Sequence, residues 1–143
     1  MWYVLEAEPG ASLLTGFSRP IAPAEYERRV ADNTLTDVLN RQAIASGDVF
    51  YLPAGRVHSI GKGSFIVEIQ QSSDITYRIY DFDRRDAAGN SRELHTELAR
   101  EAIDFESSEN SRITYAPENN QEVRLVTTPY FCLLYTSPSP RDR

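Results

Sequence analysis

The spacing of glycine and proline between residues 47 and 63 limits the fold of this chain more than any other feature. Gly47-Asp48, Pro53 to Gly55 and Gly61 to Gly63 punctuate it so closely that no helix of several turns fits between them. What fits is strand. Residues 42–45, 49–52, 64–71 and 75–82 are short apolar runs rich in β-branched and aromatic side chains, each ended by a turn signal. Short strands at regular spacing with Gly/Pro turns predict a sandwich, barrel or jelly roll.

The flanking sequence extends that pattern. Trp2 to Ala7 reads as a strand ended by Pro9-Gly10, and residues 11–17 as a second. Residues 23–30 read as a helix, with Pro23 suited to a first turn and Glu25 and Glu27 near its positive end. Asp32-Asn33 ends it, and Thr36 can cap a second short helix over 37–41. Ile75, Tyr77 and Ile79 alternate with Thr76, Arg78 and Tyr80, as in a strand with Arg78 on the opposite face. Residues 83–92 are polar and read as a loop. Leu94, Leu98 and Ile103 stand at near-helical spacing, so 93–105 reads as a connector helix. Residues 113–115 and 122–127 read as strands of a further β-unit. The expected organisation is a mainly β unit over 1–82 with a helical insertion at 23–41. A loop and connector follow at 83–112, then a truncated second β-unit at 113–131.

Charge and hydropathy exclude whole classes of function. The 143 residues carry a net charge of −6 without a basic stripe, which argues against nucleic acid, where phosphate contacts dominate affinity. No apolar run approaches the roughly 20 residues that span a bilayer, and no signal peptide opens the chain. A cytoplasmic protein is expected. The run Cys132 to Asp142 reads as the translation of a transposon-type sequencing adapter, so 132–143 is set apart as an artefact. That removes Cys132, the only cysteine, from any thiol or disulfide argument.

The run Gly47-Asp48-Val49-Phe50-Tyr51-Leu52-Pro53-Ala54-Gly55-Arg56-Val57-His58 has the form G-x5-P-x-G-x2-H. Gly47-Asp48 forms a hairpin turn into a strand, and Pro53 with Gly55 forces a second sharp turn that aims His58 inward. This resembles the second motif of cupins, small jelly rolls that often hold one metal; the usual closing Asn is replaced by Lys62. The resemblance narrows with Met1 to Ala7 and with Glu68-Ile69-Gln70-Gln71-Ser72-Ser73-Asp74-Ile75-Thr76-Tyr77-Arg78-Ile79-Tyr80-Asp81-Phe82. Together these blocks are similar to the type I mannose-6-phosphate isomerase family. The fold so implied is a cupin-type jelly roll, incomplete here, with a short helical insertion and a connector helix.

The resemblance implies one Zn2+ held by a Gln-x-His pair, a Glu in a Lys-Thr-Glu-x-Trp-Tyr segment, and His58. Only His58 is present. The missing Glu would stand just before Met1, which makes Met1 an internal methionine and the chain a fragment, inactive alone because zinc needs three or four protein ligands. The implied reaction is aldose-ketose interconversion of a sugar phosphate, which needs a base to move a proton and a cation or metal to steady the oxyanion. Glu68 and Arg78 match substrate-facing positions of the family. From spacing alone the same two residues read as a cross-strand surface ion pair. A non-catalytic cupin that binds a sugar or sugar phosphate is the alternative. His95, among acidic neighbours on the connector, reads as solvated. Lys62 reads as a hairpin-tip lysine, and Asp81, Asp83 and Asp86 with Arg84 and Arg85 as an exposed charged loop.

Overall fold

The computed structural model describes residues 1–72, 75–82, 84–106, 110–116, 121–129 and 132–136. In chain order the elements are β1 (Trp2–Ala7), β2 (Ser12–Phe17), α1 (Pro23–Ala31), a single 3-10 turn (Leu35–Val38) and β3 (Leu39–Ala43). There follow β4 (Val49–Phe50), β5 (His58–Ile60), β6 (Ser64–Glu68), α2 (Thr96–Ala102), β7 (Arg112–Ile113), β8 (Glu122–Thr127) and β9 (Cys132–Thr136). Among the described residues the strands form three antiparallel sheets, ordered β6-β1-β4-β7, β3-β2-β5 and β8-β9.

The fold is mainly β, with two α-helices among the described residues, and its connections switch sheets. β1 feeds β2, β3 feeds β4, β4 feeds β5 and β5 feeds β6, each time crossing from one sheet to the other. The turn at Gly47-Asp48 is therefore a crossover and not the expected hairpin. It is clamped to β1 by the Gly47 amide on the Val4 carbonyl and the Val4 amide on the Asp48 carbonyl, both at 2.9 Å. Gly47 there has φ +90°, which a side chain would resist. Alternation along β1 and β4 turns Trp2, Val4 and Phe50 inward, where they meet Leu13 of β2. That cluster is the seam between the two main sheets.

Two further layers cover their outer faces. Leu14 and Phe17 of β2 pack with Ile21, Tyr26, Leu35, Val38 and Leu39, so the insertion seals one side. Met1 and Val49 pack with Leu125 and Val126 of β8 on the other. α1 starts where Pro23 sits at its first turn and ends at Asp32, with Asn33 in the left-handed region. Glu25 joins Arg19 at 2.5 Å and Arg29 at 2.7 Å across its exposed face.

The predicted helix over 37–41 does not form. Leu39–Ala43 instead zips onto β2, pairing Leu39 with Phe17 and Ala43 with Ser12. A helix of five residues is marginal in water, and burying Leu39 in the ladder with β2, beside Val38 at the end of the 3-10 turn, outweighs it. The predicted strand over 75–82 is also absent. Its residues lie in no sheet, and Ile75 and Tyr77 are exposed. α2 occupies the middle of the predicted connector helix. Asp74 and Asp83, which the sequence placed in a turn and a charged loop, lie outside the described residues, as do 107–109, 117–120, 130–131 and 137–143.

Candidate functional site

His58 owes its position to the turn before it. Gly55, at φ +80°, presses so closely on the end of α2 that a Cβ there would stand 2.7 Å from the Ala102 carbonyl oxygen. The Gly55 carbonyl accepts the Asp104 amide at 2.9 Å, and the Arg56 guanidinium reaches the Asp104 carboxylate at 3.5 Å. The chain then enters β5, with His58 opposite Thr15 of β2. The imidazole meets the indole of Trp2 on the facing sheet edge-on, with ring centroids 5.1 Å apart. Its Nδ1 lies 2.7 Å from the Arg56 carbonyl oxygen. A carbonyl only accepts, so Nδ1 carries a proton and, in the neutral ring, Nε2 keeps the lone pair. Metal-ligating histidines are commonly oriented in this way.

Beside His58 opens a cavity of about 620 Å³. Glu68 and Arg78 line it too, with Tyr51, Tyr77 and Tyr80. The residues singled out from sequence thus share one concavity. They do not form the cross-strand ion pair that spacing alone suggested. Among the described residues neither Glu68 nor Arg78 has an ion-pair partner, which leaves an anion acceptor and a cation both available to a ligand. Glu68 sits at the end of β6 opposite Trp2, and β6 continues to the mutual backbone pair of Met1 and Ile69. The Met1 amine is held below its ordinary range by burial, an effect that the charge of Glu68 partly offsets.

His95 departs from its expected place in solvent. It is partly buried, stands at the residue before α2 without a side-chain cap bond, and accepts the Arg78 amide on its Nδ1 at 3.2 Å. No local sequence signal ties it to Arg78, since the two lie 17 residues apart in the chain. Lys62 is exposed between β5 and β6 and lies off the cavity wall. Asp86 closes its own loop, accepting the Ala88 and Asn90 amides on one carboxylate oxygen. Cys132 is exposed in β9, the strand formed by the start of the adapter-like run.

The zinc implied by resemblance can be tested against these donors. Among the described residues no group of three or more His, Cys, Asp or Glu side chains could hold a metal ion. His58 offers one nitrogen and Glu68 one carboxylate. That is short of the three or four ligands zinc requires, so the described residues do not by themselves make a zinc site.

The sheet-switching strands and the cavity at the motif histidine define a cupin-type β fold. The chain matches no protein-family model. It is 37% identical over 131 residues to a mannose-6-phosphate isomerase of Streptococcus mutans, which spans 91% of this chain and 41% of that protein. It is 39% identical over 106 residues to mannose-6-phosphate isomerase ManA of Bacillus subtilis, covering 74% of this chain and 33% of the relative. The crystal structure of the mannose 6-phosphate isomerase from Bacillus subtilis superposes with a TM-score of 0.80 at 30% identity, over 92% of this chain and 42% of that one. The chain belongs to the type I mannose-6-phosphate isomerase family, and it spans about two fifths or less of the length of these relatives.

Proposed function

We propose that this chain is the part of an aldose-ketose isomerase that forms one wall of its sugar-phosphate site, and that the whole protein interconverts mannose 6-phosphate and fructose 6-phosphate. The observation that carries this reading is the cavity that joins His58, Glu68 and Arg78, the last without an ion-pair partner among the described residues, in a chain of this family. Moving a proton between neighbouring carbons needs a base, and the Glu68 carboxylate is free to take it. The enediolate and the phosphate are both anionic. The Arg78 guanidinium offers a fixed positive charge and a planar donor fork to one of them.

Zinc dependence is part of the proposal. His58 would be one ligand, its Nε2 freed by the Nδ1 contact with Arg56. The remaining donors would have to come from beyond the described residues. When bound, the ion would act as a Lewis acid on sugar oxygens.

A second reading is a cupin that binds sugar phosphate without turning it over, which needs from the described residues only His58, Glu68 and Arg78 at the cavity and no metal cluster. A coupled assay on the complete reading frame of the source gene separates the two. Turnover of mannose 6-phosphate by the complete protein, lowered about 100-fold or more by Arg78→Ala through loss of a charged contact in the transition state, is the expected result. Stoichiometric binding of mannose 6-phosphate without turnover would establish the binding protein instead. Zinc-dependent turnover by these 143 residues alone would refute the expectation that they are inactive.

A further inference from the structure

We propose that His95 is a positioning residue, holding Arg78 against the cavity wall by replacing the strand neighbour that this segment lacks. The inference rests on the reading of Arg78 as the residue that meets the anionic substrate. Residues 75–82 belong to no sheet, yet they form a side of the cavity. A segment without a ladder leaves its backbone groups in need of partners. At Arg78 both are met by one residue. The Arg78 amide donates to His95 Nδ1 at 3.2 Å, and the His95 amide donates to the Arg78 carbonyl at 2.7 Å.

An amide only donates, so Nδ1 must be the unprotonated ring nitrogen and the proton resides on Nε2. The rings of His95 and Tyr77 lie 6.3 Å apart and tilted, which limits the imidazole further. His95 is itself fixed. Its carbonyl accepts the Ala99 amide at 2.9 Å to start α2. α2 is tied to α1 where the Tyr26 hydroxyl donates to the Thr96 carbonyl at 3.0 Å and Arg100 meets Glu27 at 2.8 Å. The path from the insertion to the Arg78 backbone is continuous, and the imidazole is its last side-chain link.

The test compares His95→Asn with His95→Leu. The Asn carbonyl oxygen stands near the place of Nδ1 and can accept the amide; Leu cannot. Mannose 6-phosphate affinity is measured by titration, and exchange of the Arg78 amide by hydrogen-deuterium NMR in the absence of ligand. His95→Leu is expected to weaken binding about tenfold, the loss of one well-made hydrogen bond, and to speed Arg78 exchange. His95→Asn should recover both to within a few-fold. Added to Arg78→Ala, His95→Leu should cost nothing more, because it acts only through that residue. Additive losses, or an Asn variant no better than Leu in a chain of unchanged circular dichroism, would overturn the proposal. If the parent chain itself fails to bind mannose 6-phosphate, the sugar-phosphate reading fails alone. The exchange rates still decide whether His95 holds Arg78, and equal rates in the Leu variant and the parent reject it.

Discussion

Single residues carry two sharp expectations. Gly55 is needed for a backbone angle and for a close approach at once. Gly55→Ala would set a Cβ 2.7 Å from the Ala102 carbonyl oxygen and 3.2 Å from the Asp104 amide nitrogen. It should destabilise the chain by about 1–3 kcal/mol in urea unfolding, the usual cost of forcing a side chain into such a conformation. It should also displace His58 from the cavity, since the turn aims it. Tyr26 is the second. Burial raises its phenol from 10.0 to about 12. Between those values the folded chain keeps a proton that the unfolded chain has lost, so the native state binds more protons and stability falls as pH rises. The contribution is complete below about pH 10 and lost as pH passes through about 12. Tyr26→Phe should be less stable at neutral pH, having lost the hydroxyl contact with Thr96. Its deficit relative to the parent should shrink above pH 10 in urea midpoints. A deficit constant with pH would mean that this phenol does not titrate differently on folding.

Elements show where local pattern gives way to context. β2 is the central strand of its sheet, and Leu13, Leu14, Thr15 and Phe17 are all buried. Phe17→Ala removes a ring packed against Phe105, at 6.1 Å between centroids, and against the insertion. It should cost about 3–5 kcal/mol, as a large-to-small change in a core does, whereas Arg19→Ala, in the exposed loop before α1, should cost far less. Chemical denaturation of both variants checks the ranking. The sequence showed β2, β8 and α1 nearly to their ends because apolar periodicity and a proline-started turn act locally. It misread 75–82 for a physical reason: alternation records which side chains would share a face, but a strand also needs a neighbour to bond with. Arg78 finds a histidine instead.

At the scale of the whole molecule the exposed surface is uneven. Leu5 on β1 and Phe65 and Val67 on β6 are exposed, Phe65 to 61%, and β6 is an outer strand of its sheet among the described residues. Apolar faces beside an open edge favour association. Sedimentation velocity should show concentration-dependent self-association that Phe65→Lys with Val67→Lys suppresses, while the core holds because neither side chain belongs to it. A monomer at all concentrations would show that this face is inert. None of the described helices is long and apolar enough to cross a membrane.

Proline fixes its own backbone and glycine frees its own wherever they stand, so the succession of short strands and turns, and the turn at Pro53 and Gly55 that leads into His58, could be read from the chain alone. The motif histidine and the family resemblance came with them. Which strands become neighbours could not be read in this way. Trp2 meets Glu68 in one sheet and Thr15 meets His58 in the other. Gly47 turns a crossover where a hairpin was expected, and Arg78 shares a cavity with Glu68 without pairing to it. These outcomes depend on hydrogen-bond ladders and packing between segments far apart in sequence, which exist only once the sheets have closed on each other.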